Sequence, residues 1–527
     1  MKRYMGKRIL FSIFSLIVVV ATVMLLVYSL INRNVIFQQD DMWNKKSSND
    51  RAVYEYTMYQ KYGYLDFVDY SSFLKNKYEP VLGAEYTKDA AYKADKDAIQ
   101  DENAYLENAS VQEFSDFYEH KGYTITYLTP DRSKSGKVKS GGNGYLLAVR
   151  ELPVYGRVWN YFTHLISIET TRDVTDPELT ERYIRVEKDP YSGFYALVGS
   201  GTTHKYLLYV DGRFPFLHQN FIHLNLGTSY TKYRGQEITQ VINRPTGDQV
   251  KATTQYPAQI GTDQYIESAI DFHTLTYNYN PRTKTEMNQF PDQYTAHTYR
   301  FSGLSMLENS FVAGIIATII AYLLGLPLGI AMARHKEGLL DKIGNGYIIF
   351  IMAVPSLAYI FLFATVGTTL FGLPYKFANA EVKIFAYFLP IISLALPQVG
   401  SLMKWMRRYM IDQMNSDYVK FARAEGLSER EIFAKHISRN AMIPLIHGIP
   451  GNILGCLTGA IITERVYAMP GVGNLLTAAI NGHDNGIIVA CTMFYTSLSI
   501  ISIILGDLLM AKFDPRISLT ASKGGGR

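Results

Sequence analysis

The residues whose types and spacing can do specific work lie between Asp417 and Pro444, in DYVKFARAEGLSEREIFAKHISRNAMIP. Ser416 can N-cap a first helix with Asp417 at its positive end. On that helix Tyr418, Phe421, Ala422 and Glu425 share a face, while Lys420 and Arg423 point elsewhere. Gly426 stops it. Leu427 and Ile432 then stand at staple positions around Ser428, and Ser428 with Glu431 makes an S-x-x-E capping box for a second helix. The chemistry on offer is recognition: a bent two-helix element, half apolar and half charged, is a docking knob. Amphipathicity alone describes ordinary packing equally well.

Covalent and metal chemistry find no comparable pattern. Ser135-Gly136-Lys137-Val138 lacks the glycine spacing and the Ser/Thr of a P-loop, and Gly227-Thr228-Ser229-Tyr230-Thr231 lacks the second glycine of a nucleophile elbow. No HExxH occurs. His204, His218 and His223 have no ligand spacing that lifts them above surface or core residues, so no metal site and no catalytic residue is expected. Cys456 and Cys491 both fall in apolar stretches, which leaves the polar part of the chain without a disulfide framework.

The elements that must hold the knob are membrane helices. A near-zero mean hydropathy conceals a mixture: a polar, tyrosine-rich block from about Asn32 to Ser305, with membrane-like sequence on either side. Lys2, Arg3, Lys7 and Arg8 precede an uncharged apolar run from Ile9 to Ile31, about 34 Å of helix. It is too long for a signal peptide and ends without a small-residue cleavage site, so a retained span with its N-terminus inside is expected. Further spans are predicted at Asn309–Ala333, Tyr347–Phe371, Ile384–Met403, Leu445–Thr463 and Ile487–Ala511, six in all. Basic residues alternate as orientation signals require: Arg334, His335, Lys336 and Lys342 inside, then Lys404, Arg407, Arg408 and the knob, then Lys512 and Arg516. Both termini are therefore expected in the cytoplasm and residues 32–305 outside. The net charge of +5 is small for 527 residues and belongs to this topology, not to nucleic acid.

The polar block reads as an α+β domain. Helices are expected at Tyr54–Lys77 and Asp97–His120, strands at YALVGSG, KYLLYVDGRF and VKATTQY, a turn at Asp211-Gly212, and a solvated loop over Arg132–Gly144. Within the spans, Gly451, Gly455 and Gly459 recur every four residues, as do Gly325 and Gly329, which makes them helix-packing stripes. Pro327, Pro355, Pro390 and Pro397 free backbone carbonyls at membrane depth, as simple kinks or along a water-filled path. Glu308 and Glu464 sit near outer ends and Asp507 near an inner end. No carboxylate or histidine stands convincingly at mid-membrane, which counts against an ion-driven carrier.

At these residues the chain resembles the permease subunits of bacterial ABC importers for oligopeptides, dipeptides and nickel. The knob is similar to that family's cytoplasmic EAA loop, here D-Y-V-K-F-A-R-A-E-G-L-S followed by H-I-S-R-N-A-M-I-P, with Gly426 as its glycine and Arg439, Asn440 and Pro444 in its exit. GLPLGIAMA after Leu324, FLPIISLALPQ from Phe388, TERVYAMPGVGNLL from Thr463 and LGDLLMAKFDPRI follow in order, and FIHLNLGTSYTKYRGQEITQVI from Phe221 is similar to the segment before the second helix. The large insertion most resembles the Ami-type oligopeptide permeases of streptococci.

The resemblance implies a six-helix type I ABC importer permease fold in a bacterial cell membrane, divided into an N-terminal transmembrane helix (1–31), an extracellular α+β domain (32–305), a five-helix core (306–517) carrying the coupling loop 404–444, and a cytoplasmic tail (518–527). It implies a second permease, two ABC ATPase subunits, an extracellular substrate-binding lipoprotein and a peptide substrate. ATP and Mg would be used by the ATPases and no cofactor bound by this chain. The residues implied to couple it to an ATPase are Asp417, Tyr418, Lys420, Phe421, Ala422, Arg423, Ala424, Glu425 and Gly426, with Tyr418, Phe421 and Ala422 inserting and Lys420, Arg423 and Glu425 setting polar register. Within the class, a dipeptide or nickel importer is the alternative. A membrane-anchored receptor or scaffold explains the insertion but not five further spans rich in Pro and Gly, and a membrane-embedded hydrolase lacks paired catalytic residues.

Overall fold

The computed structural model describes residues 2–513 apart from 31, 39, 177–178, 190–191, 211–215, 248 and most of 252–298, where 253–255, 265–267, 273, 276–277 and 294–295 are described. The chain opens with α1 (Lys2–Leu30), which exposes Leu10, Phe11, Ile13 and Phe14 and buries Val20 and Met24.

The polar block begins with α2 (Ser48–Lys61), β1 (Leu65–Asp69) and α3 (Tyr70–Leu82). A single helix over Tyr54–Lys77 does not form. Gly63 takes φ +68, which favours glycine, and the alternation in LDFVD suits a half-buried strand. The stretch Asp97–His120 divides as well, because Asn108 accepts from the Ser110 and Val111 amides and starts α4 (Ala109–Glu119) afresh. Then come β2 (Thr124–Leu128) and β3 (Tyr145–Glu151), and the sheet has the antiparallel order β1-β3-β2. Strand β3 is covered on both faces: Leu147 and Val149 pack with Tyr59, Tyr62 and Tyr64, while Leu146 and Ala148 pack with Leu74, Val111 and Phe114. Between β2 and β3, Arg132–Gly144 is a loop carrying one bridge, Arg132 to Val138.

After α5 (Val154–Thr163), β4 (Ile166–Ile168) pairs antiparallel with the later β9 (Ile222–Leu224). Between them lies an antiparallel sheet of β5 (Tyr183–Lys188), β6 (Tyr195–Ser200), β7 (Tyr206–Val210) and β8 (Leu217–Gln219), in that order. The expected strands at YALVGSG and KYLLYV are β6 and β7; the turn at Asp211-Gly212 lies outside the described residues. VKATTQY contributes to two short strands, Gln249–Lys251 and Thr253–Gln255. The helix α6 (Ile238–Asn243) precedes them.

Among the described residues, four helices are long and apolar enough to cross a membrane: α1, α7 (Met306–Arg334), α10 (Phe388–Met414, prolonged backwards to Lys383) and α15 (Asn485–Phe513). Two bent pairs raise the number to six if each is one span. The first, α8 (Leu339–Ala353) with α9 (Ser356–Phe371), turns by 114°, so the expected single span Tyr347–Phe371 is broken. The cause is Pro355, which keeps Val354 extended at φ −80, ψ 129. Between α10 and the second pair lie α11 (Asp417–Ala424) and a turn. The second pair, ending in α12 (Ser438–His447) and α13 (Ile449–Val466), bends by 46°. A shorter helix, α14 (Val472–Asn481), precedes α15. Pro327 and Pro397 lie inside α7 and α10. Arg8 and Asp507 pair at 2.6 Å, which sets the first turns of α1 beside the last turns of α15. The tail 518–527 lies outside the described residues.

Candidate docking site and membrane cleft

The helix α11 ends as the sequence pattern requires. Gly426 has φ +84 and nothing within 4 Å of where a Cβ would stand, so its requirement is conformational. The Leu427 amide donates to the Ala422 carbonyl at 3.2 Å and the Gly426 amide to that of Arg423 at 3.1 Å, the paired bonds of a Schellman motif. Arg423 closes the bend from outside by donating to Glu429 at 2.7 Å. The next segment is capped by half a capping box: Ser428 accepts from the Glu431 amide at 3.3 Å, but the Glu431 carboxylate turns to Lys435 at 2.6 Å. Ser416 has an extended N-cap conformation, yet its hydroxyl donates backwards to Gln413, so the expected side-chain cap is missing. From Ile432 to Ile437 the helix widens to π geometry before α12 resumes, with Ser438 donating to Phe433 five residues back.

Burial divides α11 differently from the expected face. Val419 is wholly buried and Ala422 nearly so, in a cluster with Met403, Met406, Met410, Ile432 and Ile437. Tyr418 is half-buried and donates to Gln413 at 2.7 Å. The Ala422 methyl, expected to insert into a partner, is thus covered within the chain, because the i, i+3 pair Val419 and Ala422 lies on the side of α11 that packs against the Ile432–Ile437 segment. Phe421 is 66% exposed, flanked on the open face by Asp417, Lys420, Ala424 and Glu425. Lys420 holds the Asp417 carboxyl below the ordinary carboxylate range. Arg439 and Asn440 lie on α12, with Pro444 inside it.

Three buried carboxylates tie the helices to one another and to the polar block. Asp341, 2% exposed, takes a two-pronged bond from Arg407 at 2.6 and 2.8 Å and ties α8 to α10. Glu464 accepts from Ser310 at 2.6 Å and from the Asn474 amide at 2.9 Å, joining α7 and α13 to the first turn of α14. A Cβ at Gly471 would stand 2.2 Å from that carboxyl group, which explains the glycine in TERVYAMPGVG. Asp484, wholly buried, accepts from the Ser229 hydroxyl at 2.7 Å and from the amides of Tyr230, Thr231 and Lys232 at 3.0, 2.9 and 3.1 Å. This clamps the polar block to the start of α15, and burial pushes the neighbouring Tyr230 hydroxyl well above its ordinary pKa.

Between α9, α10 and α13 lies a cleft of about 370 Å³ lined by Ser356, Ser393, Gln398, Ser401, Asn452 and Thr463 among apolar groups. Among the described residues the buried Gln398 side-chain oxygen, one residue after Pro397, has no hydrogen-bond partner. The sequence offers these residues only as scattered polar positions beside prolines; three helices make them one surface.

The family model described as "Binding-protein-dependent transport system inner membrane component" matches residues 325–519. Over 536 aligned positions covering the whole of both chains, the sequence is 36% identical to the oligopeptide transport system permease protein AmiC of Streptococcus pneumoniae. The chain belongs to this family of ABC importer permeases. A dipeptide transport system permease protein DppB of Lactococcus lactis is 32% identical over 216 residues, 40% of this chain and 70% of its own length. A chain of the inward-facing methionine ABC transporter MetNI aligns with TM-score 0.35 and 12% identity, over 40% of this chain and 94% of its own. The match to AmiC runs through the polar block, where that to DppB does not extend over the whole chain.

In this permease the two glycine stripes have different neighbours. A Cβ on Gly325 would stand 2.8 Å from that of Leu402, and one on Gly329 2.7 Å from that of Met406, so both pack against α10. Among the described residues, Gly451 has only Ser502 near it, at 3.9 Å, and Gly455 has nothing within 4 Å and lines the cleft. The surroundings of Gly459 lie outside the described residues. The histidines of the polar block, which spacing alone left scattered, are also rearranged: His204 and His223 meet at Glu169, while His218 stacks on Tyr209.

Proposed function

We propose that this permease forms, with a second permease, the translocation path of an ATP-driven oligopeptide importer in a bacterial cell membrane. The observation that carries the substrate class is the 36% identity to AmiC through the entire chain, polar block included. Both termini and the loop 404–444 lie in the cytoplasm, and residues 32–305 lie outside, where a substrate-binding lipoprotein delivers peptide. The pairing of Arg8 with Asp507 supports a shared side for the termini.

Two ABC ATPase subunits bind and hydrolyse ATP with Mg, and this chain contributes no nucleotide site of its own. One of them seats α11 through Phe421, with Lys420, Glu425 and Arg423 setting polar register. Nucleotide-driven closure moves the knob as a rigid body. Its buried side, Val419 and Ala422, transmits the displacement to the Ile432–Ile437 segment and through it to α10, and Arg407–Asp341 carries it to α8. The cleft residues Ser356, Ser393, Gln398, Ser401 and Asn452 offer donors and acceptors to a passing peptide backbone. The open glycine face of α13, at Gly451 and Gly455, is the surface offered to the second permease.

A dipeptide importer is the second reading, favoured by the identity to DppB. A peptide-length series in cells lacking the native gene and supplied with this one separates the two. Accumulation of labelled tetra- to hexapeptides supports oligopeptide transport; accumulation of dipeptides alone transfers the assignment. Failure of an ATPase pair to co-purify would instead favour an anchored receptor.

A further inference from the structure

Outside the transport machinery, three side chains from separate segments converge on one point of the polar block. Strand β4 pairs with β9 so that Ser167 faces His223, and Glu169, two residues beyond Ser167, falls on the same face as His223. The Glu169 amide continues that ladder by donating to the Phe221 carbonyl at 2.8 Å. His204 arrives from the turn between β6 and β7, held there by Thr202, whose hydroxyl donates to the His204 carbonyl at 2.6 Å. Its backbone amide donates to Glu169 Oε2 at 3.0 Å, which aims Oε1 at both rings: His204 Nδ1 stands 2.5 Å and His223 Nε2 2.7 Å from it. The carboxylate is 4% exposed, the rings stack with centroids 5.6 Å apart, and one ligand atom from each residue lies within 4.8 Å of the others.

We propose that Glu169, His204 and His223 bind a divalent first-row transition ion, with Zn²⁺ as the fitting case. Two imidazoles and a carboxylate are the donor set of zinc and its neighbours, whereas Ca²⁺ and Mg²⁺ take oxygen ligands. Ligands about 2.1 Å from a tetrahedral ion lie roughly 3.4 Å from one another, so the three atoms need only small displacements to admit it. The cluster opens on a cavity of about 680 Å³ whose lining includes Asp173 and Glu237, which supplies a path of entry, room for a water as fourth ligand, and negative potential. Binding displaces the protons shared between the carboxylate and the rings. The ion then clasps the β4–β9 ribbon to the β6–β7 turn, two parts of the block that belong to different sheets.

The test uses the full chain, purified in detergent without a histidine tag, stripped with chelator and titrated with ZnCl₂. The proposal expects one zinc per chain at micromolar or lower concentration, with an upward shift in Tm. His223 is 39% exposed on its side chain, so His223→Gln removes a ligand at small structural cost. Changes to outer-shell partners alone weaken metal sites by about 10–100-fold, so this variant should bind roughly a hundredfold or more weakly and lose the Tm shift. His223→Asp, which keeps a ligand, should retain binding, and Ca²⁺ or Mg²⁺ in excess should not compete. Equal zinc stoichiometry and affinity in wild type and a chelator-stable His223→Gln would overturn the proposal, as would no binding by the wild type.

Discussion

Truncating Phe421 to alanine tests the proposed docking function of α11 apart from its folding role. A phenylalanine side chain carries roughly 200 Å² of surface, and 66% exposure leaves about 130 Å² for a partner to cover. At about 25 cal/mol per Å² that is about 3 kcal/mol, and the retained Cβ lowers the loss to about 2–3 kcal/mol. ATPase affinity should therefore fall by roughly 30- to 150-fold. The permease itself should fold normally, because Phe421 contributes little to the cluster that buries Val419 and Ala422. The assay is binding of the ATPase subunits to the permease pair in nanodiscs, with thermal stability of the pair measured in parallel. Affinity within threefold of wild type at unchanged stability would refute the assignment of Phe421 as the anchor.

Gly426→Asn should preserve uptake better than Gly426→Ala, since asparagine tolerates positive φ and alanine there costs about 1–2 kcal/mol; Gly426→Pro, which also removes the amide bonded to Arg423, should abolish transport per ATP hydrolysed while the chain still reaches the membrane. Gly329→Val forces a side chain into Met406 and should cost about 1–3 kcal/mol or more in detergent stability, whereas Gly455→Ala, with open space around it, should leave the isolated chain's Tm unchanged. Asp484→Asn presents an amide donor to several converging N–H groups and should lose about 1–3 kcal/mol, read as faster proteolysis between the polar block and α15.

Local chemistry was legible and tertiary choice was not. Gly426 announced the helix stop because one residue type fits positive φ, and its Schellman bonds use only neighbours in sequence. Which side of α11 would be covered depended on how the chain folds back to bring Ile432 and Ile437 against it, so Ala422 went inward and Phe421 stayed open. Pro355 was legible as a break, but the 114° angle between α8 and α9 is set where both helices pack on α10, far from the proline in sequence. The segment GTSYTK carried a resemblance without a reason; the reason is Asp484, more than two hundred residues away. Glu169, His204 and His223 have no ligand spacing in sequence because strand pairing and a turn bring them together.

The central claim is that this permease conducts peptide under the force of ATP hydrolysis delivered through α11. The most direct measurement is labelled-oligopeptide uptake into proteoliposomes containing both permeases, the ATPases and the binding protein, scored against ATP hydrolysed. Uptake that requires this chain, with a peptide-to-ATP ratio that collapses in Phe421→Ala and Gly426→Pro, is the predicted result. Uptake without this chain, or an unchanged ratio in both variants, would contradict it.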